Sequence, residues 1–498
     1  MSKFFRIVTA VLYLCAQPAF SGVDKEIDVS KVQEILSELC FDPGPVDGIW
    51  GKKTERAVIN LYASVSDNYD GKFDSGDFEF LQNYKFAKGK NSCDSKSILK
   101  FTSNGRPVEH SVNSNGVIFF PKFEQLPIEL SPPADDETLS LYFKRRMNDP
   151  NRFGRFEVHP AGNENQFKVQ IKKSEFLKKQ LSENSILSYL FYEKGAIFYD
   201  GLAPDNRFSF RLNNTTKYPS HSVGKSIVSY LVGHAICEGY IDSLDQNLSD
   251  WSLVEDTLYG QQPLIDILNM SARDHHVVTE ARGMIKSGRW FNANFNIADL
   301  VVSDLDGTTP NASNKFNYNG LATNIALNYV IFKTGKDWEQ FLKNIFNEKV
   351  KIQHSVMFLK HRGSGSPDFT RGWYSFSATK YDYLRIAIAM MDDWQADNCV
   401  GKYLKTLVKR SVRNGMQRSA GNLKTPHMDI KSYRYGGYFY LDFPGMRNRN
   451  ILGMAGYGGQ DIFVDMDNSR IVVINSATTN YNWIELGYNA IRSGKLRD

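Results

Sequence analysis

The sequence is poor in the features that mark metal sites, membrane-spanning segments and nucleic-acid-binding surfaces. Only five of its 498 residues are cysteine, and no CxxC or Cys/His spacing typical of a metal site occurs. We therefore predict neither a bound metal nor another cofactor. The net charge of +5 is small for this length and spread along the chain, which argues against nucleic acid as a partner. No segment after the first 22 residues is apolar enough to cross a bilayer.

The chain begins with the pattern of a secretory signal peptide over residues 1–22. Lys3 and Arg6 precede an apolar run from Ile7 to Cys15. The small residues Ala19 and Ser21 then have the spacing of a cleavage site. A buried N-terminal helix is the alternative interpretation. We predict that the mature chain is exported and is periplasmic or associated with the cell envelope.

Export would place the four remaining cysteines in an oxidising compartment. Cys40 and Cys93 flank one compact segment and are candidates for a disulfide that closes it. Cys237 falls on the apolar face of a predicted helix, so we expect a buried free thiol there.

Residues 27–95 have the pattern of a small helical module. Apolar residues recur at helical spacing in DVSKVQEILSELC, a turn-rich loop follows, and Thr54 is a candidate N-cap for a second helix. The stretch FDPGPVDGIWGKKTERAV resembles the peptidoglycan-binding domain that opens many bacterial wall hydrolases. The residues that match the D-G-x-x-G-x-x-T pattern of that domain are Asp47, Gly48, Gly51 and Thr54.

This resemblance implies a three-helix domain that docks on cell-wall glycan or peptide. The residues of the implied wall-binding loop are Asp47, Gly48, Trp50 and Gly51. Two other interpretations are open, an ordinary helical hairpin and a module retained only as a structural appendage. Residues 96–136 are rich in Ser, Asn, Gly and Pro and are predicted to be a linker with little regular structure. The last predicted domain covers residues 137–498.

The stretch PSHSVGKSIVSYLVGHAICEGY, which follows a predicted β-hairpin over residues 185–201, contains two overlapping motifs. Gly224, Lys225 and Ser226 spell the end of a phosphate-binding loop. Such a loop also needs a glycine at the position of Pro219, and proline has no amide hydrogen to offer a phosphate. We therefore interpret this match as a coincidence.

The second motif is SxxK, the pattern of a serine nucleophile with a lysine partner, at Ser222 and Lys225. Apolar residues from Val223 to Ile236 predict a buried helix that starts near Ser222, and residues three apart share a helix face. The amine would then lie close to the hydroxyl, and a desolvated lysine has a lowered pKa and can act as a base. The alternative is a capping serine followed by a surface lysine.

Further segments follow in a fixed order after SxxK. They read EGYIDSLDQNLSDW, QPLIDILNMSARDHH, KFNYNGLATNIALNYVIFKTGKDWEQFL, RGWYSFSATKYDYLRIAIAMM and GMAGYGGQDIFVDMDNSRIVVINS. Together they resemble the serine β-lactamase and DD-peptidase superfamily, nearest to class C-like esterases and 6-aminohexanoate-dimer hydrolases. The resemblance implies an α+β fold with an antiparallel sheet flanked by helices, and an all-α lobe that carries Tyr318.

The same resemblance implies roles for individual residues. Ser222 matches the acyl-accepting nucleophile and Lys225 matches its proton-transfer partner. Tyr318, in the stretch FNYNG, matches the tyrosine of the Y-x-N motif, a general base or acid at the nucleophile. Gly320 holds the place of the motif's asparagine and Asn319 precedes it, which puts the usual amide contact to the substrate in doubt.

The stretch GYGG, from Gly456 to Gly459, stands where the family has K-T-G or H-x-G on an edge strand beside the cleft. Tyr457 replaces a cation that in the lactamases helps to hold a substrate carboxylate, so a neutral ester or amide is favoured over a β-lactam. The glycines let the substrate approach the strand closely, and the resemblance implies that the backbone amides of Ser222 and Gln460 form an oxyanion hole. The predicted oxyanion and substrate-binding residues are Ser222, Asn319, Tyr457, Gly458, Gly459 and Gln460.

The sequence thus predicts an exported serine hydrolase that forms an acyl-enzyme with an ester or amide of the envelope, such as a D-amino-acid peptide of peptidoglycan. Two alternatives remain, a small-molecule esterase or amidase and a catalytically inactive penicillin-binding-like protein that binds wall fragments. His275 and His276 lack a third ligand at metal spacing and are interpreted as surface or cleft-rim residues. Trp290, Trp373 and Tyr374 are expected to line or support the cleft, with core packing as the equal alternative.

Overall fold

The computed structural model divides the chain into two compact units, Met1–Ser97 with Val112–Val117 and Ile98–Ser111 with Ile118–Asp498. The residues that it describes are 23–24, 26–39, 41, 43–64, 69, 72–88, 111–112, 118–119, 152–205, 207–208, 211–278, 297–361, 374–414, 428, 432–479 and 481–498. The predicted signal peptide, most of the predicted linker, the cysteines of the candidate Cys40–Cys93 disulfide, and Trp290 and Trp373 lie outside these residues.

The described part of the first unit contains three helices, α1 (Val29–Glu38), α2 (Lys52–Ser64) and α3 (Ser75–Lys88). Helix α1 begins after Asp28, whose carboxylate accepts a hydrogen bond from the backbone N–H of Lys31 at 3.3 Å. The helices enclose a small core that includes Val32, Leu36, Val58, Leu61, Phe73 and Leu81. Thr54 was expected to cap α2, but it lies inside the helix. Its buried hydroxyl donates to the carbonyl of Pro43 at 3.1 Å and so ties the helix to the preceding loop.

Two short strands within the predicted linker, β1 (Ser111–Val112) and β2 (Ile118–Phe119), pair with each other. The second unit contains two larger sheets. The strands of the largest sheet are β4 (Lys168–Val169), β5 (Ile186–Glu193), β6 (Ala196–Leu202), β10 (Val412–Arg413), β11 (Arg434–Gly436), β12 (Phe439–Leu441), β13 (Ile451–Gly456), β14 (Gln460–Asp465) and β15 (Arg470–Ser476). Within the described residues their order is β10-β11-β12-β13-β14-β15-β5-β6-β4, and every neighbouring pair is antiparallel except β4 with β6.

The middle of this sheet explains two features of the sequence. Every residue of β13, β14 and β15 is buried, which accounts for their nearly continuous apolar runs. The hairpin predicted over residues 185–201 is confirmed as β5 and β6. Its two-residue turn consists of Lys194 and Gly195, which both have positive φ angles, as the tight turns of β-hairpins require.

A second, smaller sheet was not predicted from the sequence. Its strands are β3 (Arg152–Val158), β7 (Lys217–Pro219), β8 (Val356–His361) and β9 (Tyr374–Thr379), and within the described residues their order is β3-β8-β9-β7. These strands come from three distant parts of the chain, so their pairing cannot be predicted from any local sequence pattern. Strand β7 leads the chain directly into the helix that follows Ser222.

In the described part of the second unit, the helices are α4 (Glu175–Glu183), α5 (Val223–Cys237), α6 (Leu264–Leu268), α7 (Ile297–Leu300), α8 (Gly320–Thr334), α9 (Trp338–Lys343), α10 (Lys380–Ala396), α11 (Cys399–Lys409) and α12 (Ala490–Ser493). Helical turns of π type extend α7 and α9 and precede α12. Helices α5 and α8 are apolar around most of their circumference and almost entirely buried, as expected of helices inside a core. The predicted α+β class, with an antiparallel sheet flanked by helices, is confirmed.

One cysteine prediction was wrong. Cys237, the last residue of α5, forms a disulfide with Cys399, the first residue of α11. The two cysteines are 162 residues apart in the chain, and only the packing of α11 against α5 brings them together. In the part of the chain that the structure describes, no helix has both the length and the apolar character that crossing a membrane requires.

Candidate functional site

Ser222 lies at the sharp turn where strand β7 passes into helix α5. His221, just before it, has a φ of 45°, in the left-handed region that costs a non-glycine residue on the order of 1 kcal/mol. The N–H of Val223 donates to the carbonyl of Ser220 at 3.1 Å, and the N–H of Gly224 donates to the carbonyl of His221 at 3.1 Å. These bonds hold Ser222 at the N-terminal end of a rigid, buried helix.

The side chain of Ser222 does not cap this helix. The residue has φ −75° and ψ −9°, and its hydroxyl makes no capping hydrogen bond. The interpretation of Ser222 as an ordinary capping serine is therefore excluded. The phosphate-loop reading also finds no support, because the buried hydroxyl of Ser226 donates to the carbonyl of Tyr438 at 2.6 Å. A phosphate loop would instead need that hydroxyl at its metal ion.

Lys225 and Tyr318, predicted from separate motifs, lie together. The Lys225 Nζ is 5.4 Å from the centroid of the Tyr318 ring, within the range of a cation–π contact. Burial lowers the pKa of Lys225 to about 8. Lys225 is one helical turn beyond Ser222, so the three side chains belong to one neighbourhood at the start of α5. An amine with this pKa can take up and release a proton near neutral pH.

The segment around Tyr318 is fixed by its two neighbours. Asn319 is fully buried and caps helix α8, because its Oδ1 accepts from the N–H of Ala322 at 2.9 Å. Its Nδ2 donates to the carboxylate of Asp274 at 2.9 Å and to the carbonyl of Asn317 at 2.9 Å. We predicted Asn319 as a substrate-binding residue. With both ends of its amide engaged away from solvent, it has a structural role instead.

The stretch GYGG forms the turn between strands β13 and β14, and this turn lies against the nucleophile loop. A Cβ on Gly456 would clash with the carbonyl oxygen of Ser220, so the two backbones are in direct contact there. The Tyr457 ring packs edge-on against the His221 ring, with 5.8 Å between their centroids. Gly458 and Gly459 both have a φ of +82°, which favours glycine. The structure thus brings the GYGG stretch into contact with the residues that precede Ser222.

One detail of this turn differs from the expectation, and a second bears on the predicted oxyanion hole. We expected GYGG on an edge strand, but β13 and β14 lie inside the sheet, because β10, β11 and β12 continue it on one side. Gln460 begins β14 and is buried, and its side chain donates to the carbonyl of Ser476 across the sheet. Only its backbone could therefore serve an oxyanion hole, and that role stays a prediction.

A cavity of about 160 Å³ lies beside Lys225. Its apolar wall includes Val228, Leu327 and Phe376, and Asn324 adds an amide group. At roughly 30 Å³ per water molecule, the space fits about five waters or a small organic group of similar volume. Lys225 and His221 border this space, whereas Ser222 and Tyr318 are not among the residues that line it.

Sequence reasoning missed Asp274, which holds both asparagines beside Tyr318. We singled out His275 and His276 from the same ARDHH stretch, and both side chains are half-buried, with ring centroids 6.2 Å apart. Two sequence features could have drawn attention to Asp274. It is an acidic residue shortly after an apolar helical segment, and the motif tyrosine has an asparagine on each side. Nothing in the sequence shows that these residues meet.

The predicted wall-binding loop of the first unit is organised from inside by Gln33. The Gln33 Nε2 donates to the carboxylate of Asp47 at 3.0 Å, and its Oε1 accepts from the N–H of Gly48 at 2.9 Å. The hydrogen bonds that Asp47 receives, first from Gln33 and then from the N–H of Ile49, hold the pKa of its carboxyl below the ordinary value. Asp47 and Gly48 therefore shape the loop.

The same loop presents apolar side chains outward. Val46 is 47% exposed and Ile49 is 67% exposed, whereas Trp50 packs on Phe73 with 5.1 Å between ring centroids. Gly51 immediately precedes helix α2. The outward surface of the loop thus belongs to residues that we did not predict, and its binding to cell wall stays a prediction.

No protein-family model matches the sequence, and no curated protein sequence matches it either. Among solved structures, the chain is similar to a Bacillus anthracis protein with a provisional description as a 6-aminohexanoate-dimer hydrolase. The identity is 13%, with coverage of 72% of this chain and 97% of that one and a TM-score of 0.48.

Two penicillin-binding-protein relatives are similar to the same extent. One is a penicillin-binding protein from Bacillus halodurans, with 12% identity, coverage of 64% of this chain and 100% of that one, and a TM-score of 0.43. The other is the octameric penicillin-binding protein homologue from Pyrococcus abyssi, with 15% identity, coverage of 62% and 73%, and a TM-score of 0.44. Similarities of this degree transfer no function, so the chemistry of the site must be argued from its own residues.

Proposed function

We propose that this protein is a serine hydrolase of the β-lactamase and penicillin-binding-protein type, with Ser222 as nucleophile, Lys225 as proton acceptor and Tyr318 as their partner. One observation carries the proposal. The desolvated amine of Lys225 lies 5.4 Å from the Tyr318 ring, one helical turn beyond a serine whose hydroxyl makes no capping bond. A structural serine would be expected to cap the helix, and a structural lysine would be expected to reach solvent.

The lowered pKa of Lys225 gives the nucleophile its base. With a pKa of about 8, roughly a tenth of the amines are neutral at pH 7. A neutral amine accepts the Ser222 hydroxyl proton as Oγ forms a bond to the carbonyl carbon of the substrate. The tetrahedral adduct then expels the alcohol or amine, which takes up a proton through Tyr318, and an ester on Ser222 remains.

Water completes the reaction by the reverse proton path. A water molecule gives a proton to the neutral amine of Lys225, directly or through the Tyr318 hydroxyl, as its oxygen attacks the acyl carbon. The bond to Ser222 Oγ then breaks as the serine regains that proton, and the acid is released.

The residues around Ser222 favour a neutral ester or amide as substrate. Tyr457 occupies the place where a lysine or histidine would hold a carboxylate, and its ring packs on His221. We propose that such a substrate is a D-amino-acid peptide or another acyl group of the cell envelope.

Two features support an envelope location. The first is the signal-peptide pattern of residues 1–22 together with a three-helix unit that resembles a wall-binding domain. The second is the Cys237–Cys399 disulfide, since such bonds form and persist in oxidising compartments.

A catalytically inactive protein that binds wall fragments is the second candidate. It is favoured by the glycine at position 320 and by the structural role of Asn319, which together leave the Y-x-N motif without a substrate-facing asparagine. A small-molecule esterase or amidase, with the first unit as an anchor, remains a variant of the main proposal.

Labelling with a fluorophosphonate probe tests the proposal directly. The unaltered protein should be labelled at Ser222 and should hydrolyse a nitrophenyl ester. Ser222→Ala should lose the label and fall to the background rate, because the proposed mechanism places the acyl chain on the Ser222 hydroxyl. Ser226→Ala is a matched control one turn further along the same helix and should keep both activities.

Two results would decide against this function. Retained turnover in Ser222→Ala would remove Ser222 as the nucleophile. A protein that binds wall sacculi but never labels with a fluorophosphonate or a penicillin probe would be the inactive binding protein.

A further inference from the structure

A buried carboxylate lies beneath the segment that carries Tyr318. Asp274 is 1% exposed, and it accepts hydrogen bonds from Tyr259 Oη at 2.6 Å, Asn317 Nδ2 at 2.7 Å and Asn319 Nδ2 at 2.9 Å. All three donors are neutral, and among the described residues no ion pair to Asp274 is formed. A buried carboxylate without a cation costs several kcal/mol of desolvation, which three hydrogen bonds only partly offset.

Two of these donors are the residues on either side of Tyr318. Asn319 has φ −150° and ψ 163°, an extended conformation in which alternate side chains point in opposite directions. When Asn317 and Asn319 both turn inward to Asp274, Tyr318 must turn the other way, towards Lys225. The carboxylate therefore sets the direction of the tyrosine without touching it.

Further hydrogen bonds fix the position of the tripeptide Asn317–Tyr318–Asn319 along the chain. The N–H of Asn317 donates to the carbonyl of Met270 at 2.7 Å, and its side chain also donates to the carbonyl of Val278 at 3.2 Å. On the other side, Asn319 is locked to the first turn of α8. Tyr318 thus has a fixed position along the chain as well as a fixed direction.

The loop that presents Asp274 is itself strained. Met270 has a φ of 55° and Arg273 a φ of 54°, both in the left-handed region. The carbonyl of Asp274 accepts from the N–H groups of Val277 and Val278, each at 2.8 Å, which closes the loop. Strain of this kind persists where the surrounding structure demands one geometry.

We infer that Asp274 is a positioning residue for the proposed reaction: by holding Asn317 and Asn319 it aims Tyr318 at Lys225 and Ser222. The inference rests on the proposed function, because Tyr318 needs a defined direction only if it moves protons. A misplacement of a reacting group by about 1 Å can cost as much as about 100-fold in rate.

Asp274→Asn tests this inference with the smallest change in shape. The new amide replaces an acceptor by a donor, so at least one of the three hydrogen bonds is lost and the tripeptide can shift. We expect kcat for a nitrophenyl ester, per active site titrated with a fluorophosphonate, to fall by about tenfold or more while KM stays nearly unchanged. The pH–rate profile should also change, since the proton path runs through Tyr318.

Asp393→Asn is the matched control. Asp393 is equally buried and accepts from Tyr230 Oη at 2.6 Å and Asn398 Nδ2 at 2.7 Å. Unlike Asp274 it also pairs with Lys349, and it ties α10 to α5 and to the start of α11 rather than holding Tyr318. This variant should lose stability and keep both kcat per titrated site and the pH profile. If Asp274→Asn does not fold, Asn317→Ala removes one of the two anchors and should lower kcat per site by several-fold.

The outcomes separate the two proposals. A wild-type kcat per site and pH profile in Asp274→Asn, or in Asn317→Ala where that variant carries the test, would overturn the inference alone. Absence of Ser222-dependent turnover in the unaltered protein would overturn the proposed function, and the positioning role with it.

Discussion

At the scale of single residues, the pKa of Lys225 is the property that most directly links burial to chemistry. Desolvation lowers it from 10.5 to about 8, so the side chain loses its charge over the pH range in which an exposed lysine keeps it. The base form is the neutral amine. Its fraction rises about tenfold per pH unit well below the pKa and approaches one above it. We therefore expect kcat/KM for a neutral nitrophenyl ester to increase with pH below about 8 and to level off above it.

The profile is measured by initial rates at constant ionic strength, with the rate of Ser222→Ala subtracted at each pH because the ester also hydrolyses spontaneously. A rate that is flat between pH 6 and 9 would show that Lys225 is not the base. A limb that falls as the pH rises through this range would mean that the charged amine is the active form.

At the scale of elements, the contact between the end of strand β13 and the nucleophile loop sets the position of Ser222. Gly456→Ala would push its Cβ into the carbonyl oxygen of Ser220 and displace the turn that precedes α5. We expect a loss of kcat of up to about 100-fold, because the nucleophile moves relative to Lys225 and Tyr318. Kinetics with titrated active sites measure this effect separately from any unfolded fraction.

Gly453→Ala, three residues earlier on the same strand, is the control. Its Cβ would lie 2.7 Å from the Met428 Sδ and 2.8 Å from a Phe443 ring carbon, so it overpacks the core at a cost of about 1–3 kcal/mol. It should reduce stability but leave kcat per active site unchanged. Equal kinetic losses in the two variants would show that the strand acts only through general stability.

Elements with strong local patterns could be predicted from the sequence, and contacts between distant elements could not. The apolar run after Ser222 and the alternating pattern of residues 185–201 each encode their structure locally, and the predicted helix and β-hairpin are confirmed. The role of Asn319 depends on Asp274, 45 residues earlier in the chain, and no periodicity expresses that hydrogen bond. The edge-strand expectation for GYGG failed for the same reason, because strands β10, β11 and β12 cover that side of the sheet.

At the scale of the whole chain, the Cys237–Cys399 disulfide joins the far end of the helix that starts at Ser222 to helix α11. It closes a loop of about 162 residues, for which the chain-entropy model gives roughly 5 kcal/mol, although native strain often reduces the measured value. Helix α5 has 15 residues, so this end lies about 22 Å from the nucleophile. A disulfide at that distance can stabilise the fold without changing the position of Ser222 or the rate of the reaction.

The double variant Cys237→Ser and Cys399→Ser should therefore lose about 2–5 kcal/mol of unfolding free energy and keep the wild-type kcat per active site at 25 °C. Replacing the two cysteines is sharper than adding a reductant, because Cys40 and Cys93 would also respond to a reductant. Urea unfolding measures the stability, and thiol titration of the unfolded protein shows whether the bond was present. Protein taken from an oxidising compartment with free thiols at both positions would contradict the disulfide and remove its support for export. A full loss of turnover in the folded double variant would instead mean that the far end of α5 controls the placement of Ser222.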